Sequence, residues 1–515
     1  MKTKILSILS GISTNPVYLL KFTLLLIVSF FCFGFLGLAQ NPVAEKKRAN
    51  IWYFGHATPG NAKNAPGFDF TNGTPIVKND GNETGDGCSS ISDTTGSLQF
   101  YGINLYAFNQ AHDTLNNGNG LIGDSWRSTS QGALMVPKPG SNNIIYFFTA
   151  NRAEFARYNE VDMSLNAALG SIVKKNVLLY GNSITTIGGK MAAVHHCDGK
   201  KVWIMFHEFG FNKFATFLIS SIGIDTNAVI SSSGLAPQHS QAQYGDMKYS
   251  PDGRKIVIVY AGASPTPPQL FNFDNFTGMV SNPLTLIKEG SERGCSFSPD
   301  NSKLYIGTTD KKIVQYDLSS GDSAQIMNSR TVLFNCNLCS WGSLQIGLDG
   351  KIYIARSNQD SLSVINYPNF PGLSCNFVYN GISLNGGKGT TGIANFIESY
   401  FNEDTTAYPC NITNNNNNQF SKEIFLDIYP NPFQSEFNLV VRGLQFIVHN
   451  ITMYDLLGHE VKSNWVFSHQ EEGKQIYQIK TIINSTNMFI IRVNGAFMGN
   501  FFQKTLIVQS KSSKP

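Results

Sequence analysis

One turn grammar recurs along this chain and limits what it can become. "GCSSISDTTGSLQFYG", "QGALMVPKPGSNNIIYFF", "GDMKYSPDGRKIVIVY", "RGCSFSPDNSKLYIG" and "WGSLQIGLDGKIYIA" share it: glycine and usually a small residue open a short alternating strand, then come a turn and a more apolar strand. Asp-Gly, Asp-Asn and Pro-Gly are hairpin turn residues, so each unit begins as a β-hairpin. "GGKMAAVHHCDGKKVWIMF" fits with a poorer opening, and "TGIANFIESYF" opens in the same way with no second strand after it.

Counted from Gly87, Gly132, Gly189, Gly245, Gly294, Gly342 and Gly392, the steps are 45, 57, 56, 49, 48 and 50 residues. That is the spacing of four-stranded propeller blades. Small residues suit the openings because the innermost strands of all blades converge on one axis, while strands farther out have room for Trp203, Tyr260 and Tyr305. The expected fold is all-β: a seven-bladed β-propeller over residues 50–401, an Asn-rich linker over 402–423, and a small Ig-like β-sandwich over 424–515. The opening at Gly392 lacks outer strands, whereas "NIWYFG", "GFDF" and "TPIVK" near the start lack an inner one. Joining the two pieces into a final blade, with its inner strand from Gly392 to Tyr400, would leave no free sheet edge.

Composition agrees with turn-rich β structure, with 47 glycines and only 14% charged residues. The formal charge of +4 includes Lys2, Lys4 and Lys21 of the first segment, so no basic field remains to gather nucleic acid or an anionic membrane. That first segment, residues 1–39, reads as an export signal: Lys2 and Lys4, the apolar run "FTLLLIVSFFCFGFLGLA", then Gly37 and Ala39 where a signal peptidase needs small residues. Cleavage is expected between Ala39 and Gln40, leaving a mature chain without a transmembrane segment.

The last segment carries Tyr429, Pro430, Asn431 and Pro432, then Phe437 and Asn438, then "ITMYDLLGHEV" with Gly458, and closes on "FIIRV" and "KTLIV" before a basic tail at Lys511 and Lys514. It resembles the type A sorting domain of the type IX secretion system of Bacteroidetes-type bacteria. The resemblance implies a partner, the type IX secretion machinery, and a destination, the outer cell surface or the medium, after Sec export. "NMFIIRV" departs from the family, which has Gly and Tyr before this strand. The run from Trp52 to about Tyr400, through "GFDFTNGTP", "YSPDGRKI" and "IGLDGKIYIA", is also similar to an N-terminal propeller-like module of large secreted proteins of the same bacteria, a resemblance that implies no particular chemistry.

Candidate chemistry is scattered. His195, His196, His207 and Glu208 are metal-ligand types, but Phe211 stands where H-E-x-x-H needs its second His. "DGNETGDG" from Asp80 has Asp80, Asn82 and Thr84 at alternate positions, as a calcium loop would, but Ile91 stands where the bidentate Glu belongs. "GGKGT" at Gly386 lacks phosphate-loop spacing, and no nucleophile motif appears. His56, His112 and His239 are isolated. The sequence therefore points to no catalytic, cofactor-binding or metal-binding residue. Cys88 and Cys295 occupy small inner-strand positions as buried thiols, and a structural disulfide is expected among Cys336, Cys339 and Cys375. The reading is a secreted or surface propeller that binds an unknown surface protein or polysaccharide through exposed loops and the mouth of its channel. The alternative is an extracellular hydrolase or lyase on the same fold.

Overall fold

The computed structural model describes residues 42–57, 63–123, 129–150, 155–181, 187–237, 239–262, 264–308, 312–336, 339, 341–404 and, farther on, 425–429, 435–442, 446–455, 459–471, 474–481, 488–497 and 500–509. Two compact units divide the chain after Ile412. The expected cleavage residues Ala39 and Gln40, the linker core, and Pro430, Asn431, Pro432 and Gly458 of the sorting motif lie outside the described residues.

The described residues of the first unit form seven antiparallel sheets between Ile51 and Ser383, each with its strands in sequence order. The first and second have three strands and the other five have four, in the propeller-type arrangement. The first strands of successive sheets, Ile51–Tyr53, Cys88–Ser92, Ala133–Pro137, Met191–His195, Met247–Tyr249, Glu292–Phe297 and Leu344–Ile346, contact one another in series. The seventh sheet meets the first through Tyr353, whose ring lies 5.2 Å from Phe68 and 6.0 Å from Trp52. Crowding explains the small opening residues. A Cβ on Gly294 would stand 2.1 Å from the Gly342 carbonyl oxygen, and one on Gly392 would stand 1.6 Å from that of Asp86.

One expectation is corrected. Gly392–Tyr400 does not join the N-terminal strands as an inner strand. It makes isolated parallel bridges instead, Asn395 to Ser89 and Ile397 to Ala193. Ile51–Tyr53 is itself the first strand of its sheet, and its free edge is met by side chains: Ser90 Oγ accepts the Tyr53 N–H at 3.0 Å and Ser92 Oγ accepts the Ile51 N–H at 3.3 Å. The serines of "GCSSIS" thus do the work that a neighbouring strand would do, which frees the last segment to run among the inner strands.

The described residues of the second unit form two four-stranded sheets. One places Phe425–Tyr429 beside Glu436–Arg442, Lys474–Thr481 and Ser463–Glu471; the other places Glu460–Val461 beside Phe446–Asp455, Met488–Phe497 and Asn500–Gln509. Alternate residues of their inner faces, among them Phe437, Leu439, Val441, Ile451, Met453, Ile491 and Val493, form one apolar core. Tyr429 pairs in register with Asn438.

Candidate functional site

The segment from Thr390 to Asn402 occupies the place where the first strands converge, and every side chain from Ile393 to Asn402 is buried. Its bonds reach most of the way around. Ser343 N–H donates to the Thr391 carbonyl at 2.8 Å, Asn395 N–H to the Cys88 carbonyl at 2.9 Å, and Ser89 Oγ to the Asn395 carbonyl at 2.8 Å. His195 N–H donates to Ser399 Oγ at 2.9 Å, and the His195 ring nitrogen Nδ1 lies 2.8 Å from the same hydroxyl. Trp52 packs against Phe396 at 5.4 Å.

Charges are buried with it. Lys248 Nζ lies 2.6 Å from Glu398 Oε1 and also donates to Gln345. Arg293 pairs with Asp86 at 2.7 Å, whose other oxygen accepts Thr391 N–H at 3.1 Å. Asp246 accepts from Ser343 Oγ at 3.0 Å, and burial, opposed by Lys248, Arg293 and Lys190, pushes its carboxyl up to about 6. Lys190 donates to the carbonyls of Ala242, Gln243 and Tyr244, and burial lowers its amine to about 7. The Lys248–Glu398 pair, enclosed on all sides by the fold, serves as scaffold.

The structure disperses the metal-type candidates. His195 is tied to Ser399, with burial lowering its pKa to about 4. His196 Nδ1 accepts Asp198 N–H in the hairpin turn. His207 packs edge-on against Phe214 at 4.8 Å, and Glu208 accepts from Tyr180. Among the described residues, no three His, Cys, Asp or Glu side chains gather at metal-binding distance. Cys336 and Cys339 form a disulfide, whereas Cys88, Cys295 and Cys375 are buried free thiols.

The "DGNETGDG" loop also distributes its donors and acceptors among protein groups. Thr84 N–H donates to the Gly55 carbonyl and Asp86 pairs with Arg293. Asp80 and Asn82, however, join His112 in a place that sequence reasoning missed. A cleft of about 360 Å³ opens between the first two sheets. After its third strand the second sheet is met again by the returning chain, where Thr114 bridges Phe108, before Asn116 bridges Ser171 of the third sheet.

Behind the cleft, Tyr53 and Tyr101 lie with ring centroids 4.4 Å apart, and Tyr53 donates to Asp80 at 2.8 Å. Tyr101 Oη accepts two bonds from Asn82, from its N–H at 2.8 Å and its amide nitrogen at 3.0 Å. The second hydrogen of that amide goes to the His112 carbonyl at 2.7 Å, which fixes the amide's orientation. With both acceptor positions filled, the Tyr101 hydroxyl must donate to His112 Nδ1, 3.0 Å away. His112 is therefore the neutral tautomer with its proton on Nε2. Burial lowers its pKa below the ordinary imidazole value, and burial raises that of Tyr101 to about 12. His112 sits at φ 62, in the left-handed region where asparagine, aspartate and histidine are the enriched residues besides glycine.

The cleft wall adds Lys78, 3.9 Å from Asp69 and 4.0 Å from Asp80, the hydroxyls of Thr71, Thr95 and Ser97, and the Gln110 amide. Ile51 and Leu98 supply an apolar strip. The signal for this site was weak in sequence, since its residues come from five separate stretches of strand and turn.

Comparison with known proteins separates the two units. Residues 427–508 match the secretion system C-terminal sorting domain. No curated protein matches the chain. Solved structures similar to it include a provisionally assigned 6-phosphogluconolactonase from Bacteroides uniformis (10% identity, TM-score 0.35, 90% of this chain and 96% of that one). A periplasmic gluconolactonase from Pseudomonas aeruginosa is 13% identical at TM-score 0.32, covering 70% of this chain and 93% of its own. Hydrazine synthase from Kuenenia stuttgartiensis is 12% identical at TM-score 0.32, covering 53% and 72%. Likeness at this level carries nothing about chemistry. The sorting domain does carry a consequence: the chain is exported by the type IX secretion system, whose machinery it engages, to the cell surface or the medium.

Proposed function

Because the C-terminal unit is a type IX sorting domain, we propose that the chain is a secreted or surface-displayed binding scaffold, with a closed seven-bladed propeller as its body and an Ig-like sandwich as its address. A leader over residues 1–39 takes it through the inner membrane, and a linker near 402–423 keeps body and address independent. The observation that carries the binding reading is the filled axis. Gly392–Asn402 lies buried where the innermost strands converge, so the channel mouth expected from sequence gives way to the cleft between the first two sheets as the place for a ligand. The opposing reading, a hydrolase or lyase, finds its nearest candidate pair in His195 and Ser399, and both are buried and bonded to each other.

Purified mature protein on arrays of surface glycans and peptides tests this. Saturable capture with the ligand recovered intact is the expected result. Release of a cleaved product from any captured ligand would overturn it in favour of the enzyme.

A further inference from the structure

We propose that the cleft between the first and second sheets takes a neutral, hydroxyl-rich ring, a pyranose unit of a glycan chain. The inference rests on the binding reading above and narrows its ligand.

Three features of the wall select this chemistry. Lys78 lies within 4.0 Å of both Asp69 and Asp80, so its charge is already answered and no field remains for a phosphate or carboxylate. The remaining polar groups are Thr71 Oγ1, which accepts from Asn50 at 2.9 Å and keeps its own hydrogen, Thr95 Oγ1, which donates to Asp93 at 2.6 Å and keeps an acceptor position, the Ser97 hydroxyl and the Gln110 amide, a mixed set of donors and acceptors of the kind that meets sugar hydroxyls. Ile51 and Leu98 offer an apolar strip in the same cleft, matching the C–H face that a pyranose presents beside its hydroxyl rim. A volume of about 360 Å³ suits a small ring system.

His112 is the specificity element. Tyr101 holds its Nδ1 as an acceptor, which leaves Nε2–H as a neutral donor fixed before any ligand arrives. A donor fixed in advance costs less to immobilise than a mobile side chain. Asp80 and Asn82 act through the tyrosines and the His112 backbone, as positioning residues.

Titration calorimetry of the mature chain with cellohexaose, maltohexaose and mannohexaose, against trigalacturonate and a lysine-rich peptide, tests the proposal. At least one neutral hexaose should bind. His112→Asn, which tolerates the left-handed backbone, should weaken it about tenfold, the effect of one lost hydrogen bond. Tyr101→Phe should move the imidazole proton from Nε2, read by nitrogen NMR, and weaken binding; a purely structural tyrosine would leave the tautomer alone. Trigalacturonate or peptide binding lost in His112→Asn and Lys78→Met would overturn the neutral glycan while leaving the cleft a binding site. Hexaose binding indifferent to both substitutions would overturn the cleft while leaving the surface-binding reading in place. Array binding absent altogether would overturn both.

Discussion

Lys248 and Glu398, 150 positions apart in the chain, form an ion pair of 2.6 Å with side chains only 4% and 3% exposed. The pair fastens the last segment of the propeller unit to the first strand of the fifth sheet. Burying two charges is expensive, and their attraction offsets the cost only while both are present. Glu398→Ala should therefore lower unfolding free energy by about 3–5 kcal/mol, whereas Lys248→Met combined with Glu398→Leu should recover most of it. Denaturant unfolding of the two variants measures the difference. Equal losses would mean that packing, not charge, fastens the segment.

Stability should depend on pH through Asp246 and Lys190, in opposite directions. Asp246 titrates at about 6 when folded against 3.8 ordinarily, so the folded state keeps a proton that the unfolded chain releases, and stability falls as pH rises from about 4 to 6. Lys190 is lowered to about 7 against 10.5, so the unfolded chain holds the extra proton, and stability rises with pH across that upper range. Asp246→Asn should flatten the lower slope and leave the upper one. Urea titrations across a pH series would show it.

Ser90 is predicted to matter as an edge cap. Ser90→Ala leaves the buried Tyr53 N–H without its partner and should cost about 1–3 kcal/mol. Ser92→Ala removes a longer bond, 3.3 Å, and should cost less. A serine that merely saves space would tolerate alanine without loss, and chemical denaturation distinguishes the two.

Removing residues 424–515 should leave the propeller folded but behind the outer membrane, because the address lies in the second unit and the two units are compact separately. Protease added to intact cells should then spare the truncated protein and digest the full chain. Digestion of both would separate export from the sorting domain.

The sequence was most legible where sterics left no choice. Glycine with a small residue can stand where strands crowd, so Gly294 and Gly342 were identifiable as opening residues, and Cys88 and Cys295 as buried thiols. The Gly392 segment was misjudged because it carries the same opening; whether a strand is met by a backbone ladder or by Ser90 and Ser92 hydroxyls is invisible in a linear pattern. The cleft was hidden for another reason. His112 looked isolated, and only the fold brings Tyr101 and Asn82 to it and fixes its proton.

The filled axis is the central claim, and amide hydrogen exchange on the mature chain tests it most directly. The Asn395 amide, bonded to the Cys88 carbonyl at 2.9 Å, should exchange only with global unfolding, together with the amides of the inner strands. Exchange of residues 393–401 on the timescale of exposed loops, while Met191–His195 and Glu292–Phe297 stay protected, would contradict it and return the axis to the list of places where a ligand could bind.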